Sequence, residues 1–329
     1  MALLGSQLST ILIFIAIGIM LFIWYSWHQN SAVLSRSVGD CNGEHAFYKT
    51  VTLDSGWDNR AYAIYQRISQ KLNKKKEVRL VKFPFGGLTA RVLETDEESS
   101  FWDLVEKGTW ELKTYTALMH YLSSDTVVVD VGTWIGPTVL FSSQLAARTY
   151  AIEADPAAFS KISHNLKQNA QSLWYHHVHL QAGCLGVEST HVQMKSALPG
   201  NSMSSIHKLF QQGNNRAPAQ WTVRCYRLPE LFTIWQINPT IEHVFVKIDI
   251  ESYECKVLPN LYSWLATLKR KPTLYIAMHS QITTCSKEEY AMIAKIAELY
   301  RFRSTSFVTG NGSVAPTGEH VLSDLIAPP

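Results

Sequence analysis

The spacing of apolar and polar positions changes character several times along the chain. Residues 8–27, LSTILIFIAIGIMLFIWYSW, are almost wholly apolar. About 20 such residues, at 1.5 Å each along a helix, match a hydrocarbon core of roughly 30 Å. Trp24, Tyr25 and Trp27 end the run, where amphipathic rings prefer the headgroup region. No Lys or Arg precedes it, so residues 1–30 read as an uncleaved membrane anchor rather than a signal peptide. Residues 31–60 are polar without a clear period and read as a linker. Ala61, Ile64, Tyr65, Ile68 and Leu72 then recur at helical spacing. Residues 78–83 and 88–93 alternate around Pro84-Phe85-Gly86-Gly87, which predicts a β-hairpin. Residues 101–122 are helical in pattern, with a break near Gly108. Residues 61–124 therefore read as an N-terminal helix and hairpin extension.

From residue 125 to 329 short β-branched runs alternate with helical stretches. Strands are predicted at 126–131, 149–153, 178–182, 244–250 and 274–278. Helices are predicted through 138–147, 157–170, 253–268 and 287–300. Residues 302–307 and 319–322 read as a closing antiparallel pair. This alternation predicts an α/β domain with a parallel sheet covered on both faces. Residues 189–220 are polar and patternless, and read as a loop that shapes an acceptor pocket.

Composition narrows the function. With 329 residues, 46% apolar and 17% charged, the chain can bury a sizeable core. Thirty Lys and Arg against 27 Asp and Glu give a net charge of +3, too near neutral for a dedicated nucleic-acid binder. The five cysteines are widely spaced and form no C-x-x-C. They read as buried thiols, not as a zinc site or a disulfide framework. Near the apolar run the only Lys or Arg residues are Arg36 and Lys49, both after it, which favours a cytosolic C-terminal domain. The basic run from Lys71 to Lys82 reads as a solvated helix end, or as a contact with anionic headgroups.

The chemistry is concentrated at predicted strand ends. Val127-Val128-Val129-Asp130-Val131-Gly132 runs into a turn closed by Gly136. Glycines there let the backbone turn tightly and approach a ligand. Glu153 ends the next strand, where an acid can accept both hydroxyls of a ribose. The Gly132-x-x-x-Gly136 spacing differs from G-x-G-x-x-G, and Asp130 would repel a pyrophosphate. S-adenosylmethionine (SAM), which carries an adenosine, no phosphate and a sulfonium, suits the turn better than NAD does. Asp249 and Glu251 lie at the tip of a later strand and His279 follows the next one. All three are candidate catalytic groups: two carboxylates, and the side chain whose ordinary pKa best suits a base near neutrality. Asp249 and Glu251 also suit a hard cation, although no metal is assigned to them.

DVGTWIGPT, AIEADP with HNLKQNA behind it, NSMSSI, KIDIESYE and FWDLVEKGTWELKTY resemble motifs of the FkbM-family SAM-dependent methyltransferases. The resemblance spans residues 78–278. Ser252, Ala277 and Trp134 depart from the family pattern. The resemblance implies a Rossmann-like, class I methyltransferase sheet of seven strands, mostly parallel with one reversed. It implies O-methylation of a hydroxyl on a sugar, glycan or other small molecule. It also implies that Asp130 and Gly132 lie against the methionine part of SAM and that Glu153 holds the ribose. Cys184 would lie near the adenine, and Trp110 and Glu111 would close over the cofactor. The expected partners are a hydroxyl-bearing acceptor and, through the anchor, a lipid bilayer, with no nucleic acid. A methyltransferase-like scaffold that binds SAM without turnover is the competing reading, motivated by the three departures.

Overall fold

A computed structural model describes residues 51–52, 56–75, 77–196, 198–200, 218–251, 253–279, 285–304 and 317–327. The predicted anchor at 8–27, Ser252, residues 201–206 (NSMSSI) and half of the predicted strand at 302–307 lie outside the described residues. In chain order the elements begin with β1 (Val51–Thr52), α1 (Asn59–Leu72), β2 (Val78–Lys82), β3 (Thr89–Leu93), α2 (Ser99–Glu106) and α3 (Leu112–Tyr121). Next come β4 (Thr126–Val131), α4 (Pro137–Ser142), β5 (Arg148–Glu153), α5 (Pro156–Lys167), β6 (Val178–Ala182), β7 (Cys184–Leu185), β8 (His191–Ser196) and β9 (Ala219–Tyr226). The chain continues through α6 (Leu228–Ile234), β10 (His243–Ile248), α7 (Glu254–Thr267), β11 (Thr273–His279), α8 (Lys287–Glu298), β12 (Phe302–Arg303) and β13 (Thr317–Ser323).

The main sheet has the order β1-β6-β5-β4-β10-β11-β13-β12. β13 runs antiparallel to both of its neighbours, and the other pairs are parallel. The seven strands from β6 to β12 thus form the expected mostly parallel sheet with one reversed strand, and the two-residue β1 extends its edge. All six residues of β4 are buried, as a strand covered on both faces requires, and this is why its sequence is a run of valines rather than an alternation. Val127, Val129 and Val131 on one face join Val246, Ile276, Leu258 and Ile293 in the largest core cluster, under α7 and α8. On the other face Tyr115 of α3 packs edge-on against Phe141 of α4 with ring centroids 4.9 Å apart.

The hairpin forms as predicted, with Val78 paired to Leu93 and Lys82 to Thr89. α4 stops at Ser142, five residues before the predicted end. The following amides of Gln144 and Leu145 bond three residues back, to Phe141 and Ser142, so the helix tightens into a turn. The polar stretch read as a loop contains a strand: β8 pairs antiparallel with β9 from His191↔Arg224 to Ser196↔Ala219. Its single well-buried apolar side chain, Met194, leaves too faint an alternation to detect in the sequence.

The cysteine reading is corrected. Cys184 is bonded to Cys225, joining β7 to β9, and Cys255 is bonded to Cys285, joining the first turn of α7 to the residues before α8. The partners lie 41 and 30 residues apart and meet through tertiary structure, so spacing carried no trace of them. Loops of that length correspond to about 4 kcal/mol each in the chain-entropy account. Among the described residues no helix is long and apolar enough to cross a membrane.

Candidate functional site

A cavity of about 310 Å³ opens at the carboxyl ends of β4, β5, β10 and β11, where a doubly wound sheet receives its ligands. Gly132 forms its floor. The Gly132 backbone has φ +80°, and a Cβ there would lie 1.8 Å from the Asp249 carbonyl oxygen. Together with the bond from the Asp249 amide to the Val131 carbonyl (3.1 Å), this locks the tips of β4 and β10 together. Gly136 does a different job. It does not line the cavity, and a Cβ there would come within 2.7 Å of Ile162, so it permits α4 to pack on α5.

Asp130, expected against the cofactor, sits behind the cavity wall. Strand register sets it directly opposite Lys247 on the adjacent strand. It is fully buried, accepts a 2.5 Å bond from Thr138 Oγ1 and lies 3.6 Å from the Lys247 ammonium. Burial raises its pKa, against the opposing pull of Lys247.

Glu153 does reach the cavity. Its two carboxylate oxygens accept bonds from the amides of Trp134 (2.8 Å) and Asp155 (2.7 Å), and the Ala154 amide also bonds to it. Burial pushes its pKa up to about 8, against those backbone bonds. Glu111 and Trp110 also line the cavity, as the resemblance implies. Thr114 Oγ1 donates to Glu111 (3.0 Å), and burial raises the Glu111 pKa to about 7, opposed by Lys247 and assisted by Asp249. Phe101 stacks edge-on against both Trp110 and Trp134, at 5.0 and 4.5 Å, forming an aromatic wall. Cys184 lines the opposite side as half of a disulfide rather than as a thiol.

Asp249, Glu251 and His279 meet at the strand tips, as predicted. Asp249 Oδ2 takes a 2.9 Å bond from Lys247, and its Oδ1 faces His279 Nε2 at 3.7 Å. His279 Nδ1 faces Glu254 Oε1 at 3.4 Å. Burial alone would lower the His279 pKa. The Glu254 bond and the charges of Asp249, Glu251 and Glu254 outweigh it and lift the value to about 9. Burial raises Glu251 to about 7, with His279 pulling the other way.

Lys247 and Glu254 escaped the sequence reading. Lys247 is buried and lines the cavity. Desolvation would lower its pKa, but Asp249, Asp130 and Glu111 together raise it. Its signal was available: residues two apart on a strand share a face, so a lysine inside a buried strand two before Asp249 had to find a carboxylate. Among the described residues four carboxylates line the cavity (Glu111, Glu153, Asp249 and Glu251), with Asp130 and Glu254 behind them, against two basic side chains, Lys247 and His279. The site therefore favours a cationic ligand over an anionic one. Three of the four described non-glycine residues with left-handed backbone, Glu111, Trp134 and Glu251, line this one cavity, as strained residues do at functional sites.

No family model matches this chain, and no curated protein does. Among solved structures it is similar to the methyltransferase FkbM from Methylobacillus flagellatus KT, at 14% identity and a TM-score of 0.33, over 68% of this chain and 50% of that one. The chain thus spans half the length of the Methylobacillus protein. It is also similar to an O-methyltransferase from Bacillus cereus in complex with SAH, at 10% identity and a TM-score of 0.34, over 82% and 92% of the two chains. A third similar structure, a precorrin-6y C5,15-methyltransferase from Geobacter metallireducens GS-15, has 12% identity and a TM-score of 0.31, over 64% and 86%.

Proposed function

We propose that this chain is a SAM-dependent methyltransferase acting on a hydroxyl of a sugar, glycan or other small molecule, held at a membrane by residues 8–27. One observation carries the reading: an acid-rich cavity lies at the strand tips, with Glu153 at its rim and the Gly132 turn as its floor. When bound, SAM supplies a methyl group on a sulfonium. Glu153 would hold the ribose hydroxyls, and Phe101 and Trp134, which line the cavity, would lie against the cofactor. The carboxylates that line the cavity would favour a cation there, and its charge would in turn favour their ionised forms.

The protein's main task is alignment, since methyl transfer is an in-line displacement. The acceptor hydroxyl also has to lose its proton. Nearby carboxylates raise the His279 pKa to about 9, which makes it less suited than Glu251 to take the proton at neutral pH. Glu251, near 7 and at the cavity wall, is the group suited to take the proton. His279 holds Glu251 and Asp249 in place through charge.

The two disulfides support a catalytic domain that faces an oxidising compartment, against the cytosolic side that the Lys and Arg count favours. The test is to incubate the full chain, in detergent, with labelled SAM and fractionated glycan and small-molecule extracts. A labelled product whose methyl ether survives mild base supports O-methylation. Absence of SAM binding by calorimetry, or a thermal shift with NAD and none with SAM, overturns the reading.

A further inference from the structure

We propose that α1, the turn that closes it and the outer face of the β2–β3 hairpin form a contact surface for anionic phospholipid headgroups. The charge of the chain is segregated. Residues 59–93 hold nine Lys and Arg but a single acid, Glu77, while the rest of the chain is net acidic, with 21 Lys and Arg against 26 Asp and Glu. α1 itself contains no Asp or Glu. At 3.6 residues per turn, Arg60, Arg67 and Lys71 fall within about 40° of one another around the helix. Lys74 and Lys75 follow in the closing turn, where their amides bond to the carbonyls of Lys71 (3.2 Å) and Leu72 (2.9 Å).

Ala61 and Leu72, on another side of the helix, are the residues of α1 that are buried. The cations are exposed, and among the described residues none of the five is ion-paired to an acid. Unpaired like charges side by side repel, and an anionic surface removes that cost. The hairpin adds apolar contacts. Val78, Leu80 and Lys82 alternate outward along β2 while Val81 is buried, and the exposed Arg91 of β3 stands opposite Leu80. Val78 and Leu80 are 44% and 51% exposed.

Aliphatic side chains set among cations suit the boundary between headgroups and acyl chains, whereas a nucleic acid or an acidic polysaccharide would use the cations and leave Val78 and Leu80 in water. The apolar run at 8–27 ends 32 positions before Asn59. A chain of that length reaches at most about 110 Å, so a bilayer that holds the run stays within reach of α1. The contact needs acidic headgroups on the side that the domain faces, whichever side that is. The proposal rests on the anchor for proximity alone, and not on methyl transfer.

The experiment is lysine acetylation, read by mass spectrometry, on the full chain in nanodiscs of phosphatidylcholine with or without phosphatidylserine. Nanodiscs expose both leaflets, so the orientation of the chain does not matter. With phosphatidylserine, Lys71, Lys74, Lys75 and Lys82 should react about fivefold more slowly or less, and high salt should restore their rates. The exposed Lys269 and Lys287, outside this surface, should react equally in both. The triple variant Arg67→Gln, Lys71→Gln, Lys74→Gln changes exposed side chains only and should lose most of the protection at Lys75 and Lys82. Equal rates at the four lysines in the two nanodiscs overturn the proposal, as does protection that survives the triple variant. Stronger protection by soluble heparin or RNA than by phosphatidylserine also overturns it and assigns the surface to a polyanion. A chain that does not enter nanodiscs removes the anchor instead, and the same comparison is then read with added vesicles of the two compositions.

Discussion

Glu251 and His279 share a strand-tip cluster but titrate in different ranges, and their environments explain why. Burial keeps Glu251 near 7, whereas three carboxylates around His279 hold it protonated to about 9. Glu251→Gln keeps the size and removes the base, so turnover should fall about 10²-fold or more with SAM affinity nearly unchanged. Single-turnover kinetics beside calorimetry separates the two quantities, and equal turnover in both proteins would remove Glu251 from the reaction. Asp249→Asn is a less clean probe, because it also strips a 2.9 Å partner from buried Lys247.

The His279 shift sets a pH dependence as well. Its folded pKa is raised above the unfolded value of 6.5. The stability it contributes is therefore fully present below pH 6.5 and lost as pH rises through about 9. Glu251 and Glu153, also raised, push in the same direction from lower pH. Tm measured in chelator should fall between pH 6.5 and 9, and fall less steeply in His279→Gln. A parallel slope in the variant would contradict the assignment. At this scale the sequence already located Glu153, Asp249, Glu251 and His279 at the cavity. It did not show that Asp130 stands behind the cavity wall against Lys247, which comes from a strand 117 positions later in the chain, a pairing that only sheet register reveals.

Elements carry the next set of constraints. The tips of β4 and β10 touch through backbone, with Gly132 as the contact. Gly132→Ala would drive a methyl group into the Asp249 carbonyl at 1.8 Å and hold a left-handed φ of +80° on a residue with a side chain. Part of the strain would relax by parting the strands. A loss of roughly 2–4 kcal/mol in denaturant unfolding is expected, together with loss of ligand binding. Near-wild-type stability would show that the strand tips are not locked there.

The predicted strands at 126–131 and 178–182 coincide with β4 and β6, because runs such as VVVDV are buried on both faces and bounded by turn residues. The three-stranded sheet β7-β9-β8 escaped notice. Most of its burial is on one face, through Met194, Trp221, Val223 and the Cys184–Cys225 pair, and β8 and β9 are rich in polar residues.

For the molecule as a whole, the disulfides link stability to compartment. Cys255 adjoins Glu254 and Cys285 precedes α8, so their bond clamps the end of the sheet that carries His279. Replacing both cysteines with serine should lower unfolding free energy by about 2–4 kcal/mol and depress turnover more than a like change at a remote surface site. Because the two disulfides engage four of the five cysteines, thiol titration of the denatured, non-reduced full chain should find no more than one thiol, against five after reduction. Five thiols before reduction would place the chain in a reducing compartment and restore the cytosolic orientation.

What the cavity binds decides what the protein does. The most direct test is calorimetric titration of the full chain with SAM at pH 8.5, above the raised pKa of Glu153, for wild type and Glu153→Ala. Saturable one-to-one SAM binding is expected, with a loss of about 1.5–3 kcal/mol in the variant, as fits charged hydrogen bonds to the ribose. No binding by the wild type, or equal affinity in the two proteins, would contradict it.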